Sequence, residues 1–116
     1  MNQLHCYIRE NGWPARVAAR RLHARQMAIV FNRTVFLHGV SAEAFLKNTS
    51  WLRHEVCHIQ QYRKYTFPGF ILLYLLQCLR HGYYNNRFEK EARAAERDTA
   101  ILHNVVCHIQ GRKPGL

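Results

Sequence analysis

The most apolar stretch, "FILLYLLQCL" from Phe70 to Leu79, constrains this chain more than any other feature. A run without a charge calls for shielding from water. Ten residues fall far short of the roughly 20 that a helix needs to cross a bilayer. The run is therefore expected to form a buried core helix over about 69–80, closed by Gly82 as a C-cap. A helix resting on a membrane surface is the lesser alternative, kept open by the basic residues around it.

The rest of the chain must supply the walls of that core. Before Pro68-Gly69 lies "WLRHEVCHIQQYRKY", a helix that Thr49 or Ser50 can cap. Further upstream, "MAIVF" and "TVFLH" are rich in β-branched and aromatic residues and are separated by Asn32-Arg33, which predicts a β-hairpin. Gly39 ends the hairpin, and Ser41 caps a short helix in "SAEAFLKN". Pro14 suits the first turn of an Ala- and Arg-rich helix over about 14–25. After the "YYNN" loop, "RFEKEARAAERDTAILHNVV" reads as a last helix over about 87–106. Residues 1–13 and 111–116 read as flexible ends. The expected fold is α+β and mostly helical. An N-terminal helix, a short hairpin and a short helix precede three further helices within one domain of 116 residues.

The charge balance bounds the partners. There are 17 Lys and Arg against 7 Asp and Glu, a formal net charge of +10. Such a chain favours nucleic acid, an anionic membrane surface or an acidic protein. No helix-turn-helix, zinc-finger or RNA-recognition signature accompanies the charge. The four cysteines form no C-x-x-C pair, and the N-terminus has no apolar signal core. Free thiols and a cytoplasmic location are the simplest expectation.

The chemistry concentrates at His54-Glu55-x-x-His58. On a helix, positions i and i+4 share a face, so both imidazoles can reach one metal ion. Glu55 points about 100° away from His54, beside the metal rather than onto it. A Zn2+ ion there lowers the pKa of its water to about 7, and the carboxylate accepts the proton. A third ligand should come from another element. The dense acidic cluster downstream is "FEKEARAAERD", offering Glu89, Glu91 and Glu96. Periodicity does not choose among them. Gln61 stands near the motif, and Tyr83, Tyr84 and His81 are candidate oxyanion donors or ordinary loop residues. Cys57 lies off the ligand face and reads as a small buried hydrophobe.

The stretch from Trp51 to Glu96, with the hairpin before it, resembles a family of short bacterial proteins of unknown function over about residues 15–96; these are similar to the minimal zincin-type peptidase-like domain of contractile injection system components. The shared pattern is HExxHxxQ on one helix, a spacer helix, then an E-x-E-A element. It falls here on His54, Glu55, His58 and Gln61, then Glu89, Glu91 and Ala92. The resemblance implies a zinc site of His54, His58 and Glu89, with Glu55 as general base. Arg93 stands where such sites carry an acidic supporting residue, a role open here to Glu91 or Glu96.

Val-Cys-His-Ile-Gln occurs twice, at 56–60 and at 106–110. The second copy is preceded by Asn104 and Val105 rather than His and Glu, and so lacks a ligand and the base. It reads as an echo at a helix end. Three functions follow from these features. The first is a zinc-dependent, metallopeptidase-like hydrolase acting on a peptide or protein. The second is a non-catalytic zinc-binding interaction module. The third is a basic protein that binds nucleic acid or a membrane surface.

Overall fold

The computed structural model describes residues 3–111. Its elements in chain order are β1 (Leu4–Arg9), α1 (Trp13–Leu22), β2 (Met27–Phe31), β3 (Thr34–His38), α2 (Ala42–Lys47), α3 (Thr49–Tyr65), α4 (Phe67–His81), α5 (Arg87–Ala95) and β4 (Val105–Ile109). The fold is α+β and mostly helical, as the pattern predicts. The hairpin forms where it is expected. β2 pairs with β3 antiparallel, and Phe31 faces Thr34 across the two-residue turn, where Asn32 takes a positive φ of 58°.

Two strands depart from the expectation. Residues 4–9 are not a flexible end but β1, a central strand of a sheet ordered β2-β3-β1-β4. The alternation that makes this strand is plain: Leu4, Cys6 and Ile8 are buried, whereas His5, Tyr7 and Arg9 are not. The expected helix over 87–106 ends at Ala95. The chain turns at Asp98, whose Oδ1 accepts from the Ala100 amide, and again at Asn104, where φ is 66°. Val105–Ile109 then pairs with β1 in parallel, Cys6 opposite Cys107. The expected tail from residue 112 onward lies outside the described residues.

Helix α3 is the spine. Leu52, Val56, Ile59 and Tyr62 pack it against Cys6, Ile8, Val35 and Leu37 of the sheet. Helices α4 and α5 flank it through Phe70 and Phe88. Phe36 points to the other sheet face, where it meets the entry to α1. A Cβ on Gly12 would stand 2.6 Å from its ring, so only glycine fits there. The cap of α3 is Asn48 rather than Thr49 or Ser50: its side chain accepts from the Trp51 amide.

Helix α4 corrects the reading of the apolar run. Only Phe70 of it is fully buried. One face of α4 packs on α3. Among the described residues nothing covers the other, so several of its leucines meet solvent.

Candidate metal centre

The described residues contain five buried polar or charged side chains: Glu55, His58, Gln61, Asn86 and Glu89. Four converge at one place between α3 and α5, and the fifth fixes the helix that brings Glu89 there. Burial of such groups is costly unless each finds a partner, so their clustering marks a built site.

Helix α3 supplies the two histidines, stacked one turn apart with ring centroids 5.1 Å from each other. Helix α5 supplies Glu89 in its first turn. Asn86 caps that helix, accepting from the Phe88 amide and donating to the Tyr74 carbonyl. The positive end of the α5 dipole favours a carboxylate at this position. His54, His58 and Glu89 each offer one ligand atom, all within 4.8 Å of one another, and this group could hold a metal ion. Glu89 bridges the histidines: Nε2 of His54 lies 3.1 Å from its Oε1, and Nε2 of His58 lies 3.1 Å from its Oε2.

The far nitrogen of each ring is also held. Nδ1 of His54 lies 2.8 Å from Glu96 Oε2, and Nδ1 of His58 lies 2.8 Å from Gln61 Oε1. Both oxygens accept, so both Nδ1 atoms carry the proton and both Nε2 atoms face Glu89. Gln61 is anchored in turn by donating to Glu91 and to the Phe88 carbonyl. The three downstream acids therefore divide the work. Glu89 faces the histidines, Glu96 holds His54, and Glu91 steadies Gln61. Arg93 plays no part here; it donates to the Tyr84 carbonyl and stacks on that ring. Cys57 is buried away from the ligand face, with its sulfur against Glu91.

Electrostatics follow from this crowding. Burial alone would lower the His54 imidazolium pKa. Hydrogen bonding to Glu89 and the charge of Glu55 more than offset it, and the group rises to about 9. His58 moves the same way for the same reasons. Burial would raise Glu89, but hydrogen bonds from His54 and His58 hold it well below the usual carboxylate range. Burial lifts Glu55 to about 7, despite the opposing pull of His58 and His54. Its Oε2 accepts from the Trp51 indole at 3.1 Å.

A cleft of about 270 Å³ opens over these groups. His54, Glu55, His58 and Glu89 form one side of it. The others are β2 from Ala28 to Phe31, α4 through Ile71, Tyr74 and Leu75, and Tyr83. The wall opposite the histidines thus comes from within the same small fold. Sequence reasoning missed Tyr74, whose hydroxyl donates to Glu89 Oε2 at 2.6 Å. The available signal was a hydroxyl inside an otherwise apolar run. Burial and the charge of Glu89 push the phenols of Tyr74 and Tyr83 upward, so both remain donors. Of the other candidates, Tyr84 lies under Arg93, and His81 lines a separate depression with Gln77, Arg87 and Lys90.

Comparison with family models, curated proteins and solved structures returns no match.

Proposed function

We propose that the protein is a zinc-dependent hydrolase of metallopeptidase type, with Glu55 as general base. The observation that carries this reading is the meeting of His54, His58 and Glu89 within 4.8 Å beside a buried Glu55 at the floor of a cleft. Two imidazole nitrogens and a carboxylate suit zinc with a position left open, and ring nitrogens held by Glu96 and Gln61 are the usual support for such ligands. His54, His58 and Glu89 would hold the ion. When bound, zinc supplies Lewis acidity toward water and carbonyl oxygen.

The chain's own groups do the rest. Glu55, buried beside the histidines at the cleft, is placed to take a proton from water and to return it to a leaving amine. Tyr74 donates its hydroxyl to Glu89 and so orients that ligand, and Tyr83 lines the cleft beside it. β2 is an edge strand of the sheet within the described residues and lines the cleft, so its free side can align an extended peptide.

The test is a broad peptide library with native protein and Glu55→Gln. Cleavage by the native chain, lost by about 100-fold or more in Glu55→Gln with zinc retained, is the expected result. The small cleft favours a second reading, in which the same ligands hold zinc without turnover. A zinc-loaded native chain that cleaves nothing would select that reading.

A further inference from the structure

One face of α4 meets water. Leu72, Leu75, Leu76 and Leu79 are 60%, 55%, 44% and 83% exposed. They occupy positions i, i+3, i+4 and i+7, which a helix sets in a single stripe. Isolated surface leucines need no explanation, but a contiguous stripe marks an interaction site. Exposed Phe67 stands at the start of the helix, and exposed Tyr83 and Tyr84 stand just beyond its end.

The surroundings are cationic. α4 contains no acidic residue, and its last turn carries Arg80 and His81. The last turn of α3, which leads into it, carries Arg63 and Lys64. Arg87 and Lys90 share a surface depression with Gln77 and His81 of α4.

We propose that this stripe docks the protein on an anionic lipid surface, with α4 lying in the interface and the flanking cations against the headgroups. Charge complementarity selects this occupant. A second copy would bring a further net charge of +10 to the same face, and α4 has no acid to meet it. A nucleic acid would match the cations but leave the leucines in water. An anionic bilayer satisfies both. The helix lies on the membrane rather than across it, since no helix among the described residues is long and apolar enough to span. Ile71 and Leu75 also line the cleft, so docking would turn its mouth toward substrates held at the membrane; that consequence alone rests on the hydrolase reading.

The experiment is co-sedimentation of the full chain with phosphatidylcholine vesicles, with and without phosphatidylglycerol, at low and high salt. Binding is expected only with phosphatidylglycerol and should weaken with salt. The triple variant Leu72→Gln, Leu76→Gln, Leu79→Gln should lose about tenfold or more in partitioning while largely keeping its melting temperature, because these side chains are exposed and lie outside the buried core of the described residues. Leu79→Trp should add blue-shifted emission, relative to the native chain, when anionic vesicles are supplied. His54→Ala should bind vesicles like the native chain, which separates docking from the metal site. The proposal is overturned by absence of vesicle binding, or by binding that the triple variant leaves unchanged. A dimer seen by light scattering and abolished by the triple variant would assign the stripe to a second copy instead. Duplex DNA bound in place of vesicles, independently of the leucines, would assign the face to nucleic acid.

Discussion

The same five residues, Val-Cys-His-Ile-Gln, form the middle of helix α3 at 56–60 and most of strand β4 at 106–110. In the helix, Val56, Cys57, His58 and Ile59 are all buried, because α3 is packed by the sheet, α4 and α5 on several sides. In the strand, every residue is at least partly exposed. Cys107 faces Cys6, and His108 lies on the opposite face, 2.9 Å from His5. Local propensity does not decide between these outcomes; the neighbours do. His54 and Glu55 ahead of the first copy sit in a helix that Asn48 caps. Asn104 ahead of the second takes a left-handed turn and delivers the chain to β1.

The sharpest way to break this comparison is to remove each histidine. His58→Ala should abolish tight zinc binding in a competition titration against a chromophoric chelator, and His108→Ala should leave it unchanged. Equal loss in both would show that the two copies do not differ in role. The supporting groups come next. Gln61→Leu and Glu96→Ala each release one ring nitrogen and should weaken zinc affinity about 10- to 100-fold in the same titration.

Packing gives a smaller contrast. Ile59 is fully buried, so Ile59→Ala should cost about 2–5 kcal/mol in denaturant unfolding. Ile109 is half-buried on an edge strand, and Ile109→Ala should cost about 1 kcal/mol. Equal costs would mean that β4 is as deeply embedded as α3.

The gentlest probe is pH. In the metal-free chain Glu55 rises from 4.5 to about 7 and His54 from 6.5 to about 9. The folded state therefore binds more protons than the unfolded state across this range, and its stability falls as pH rises from about 4.5 to about 9. Zinc requires the histidines without their Nε2 protons, so its stabilisation should grow over the same range. A melting temperature of the metal-free protein that rises with pH would contradict this.

Much of this was legible in the residues. The hairpin declared itself through two β-branched runs around Asn32-Arg33, and the i,i+4 histidines announced their shared face. The choice of Glu89 among three acids was not legible, because it depends on how α5 crosses α3 and on the Asn86 cap. β1 escaped notice although Leu4, Cys6 and Ile8 alternate cleanly, since its partners β3 and β4 are distant in sequence. β4 was hidden by a pentapeptide that is helical elsewhere in the same chain. The apolar run concealed its own asymmetry: a ten-residue stretch with Gln77 as its one polar member looks buried on every side until packing shows that only one face has a neighbour among the described residues.

The central claim is that His54, His58 and Glu89 hold one metal ion. Elemental analysis of the full chain purified without a polyhistidine tag tests it most directly, alongside Glu89→Ala and His108→Ala. One zinc per chain in the native protein and in His108→Ala, with none in Glu89→Ala, is the predicted result. A native chain without stoichiometric zinc, or a Glu89→Ala chain that retains it, would contradict the account.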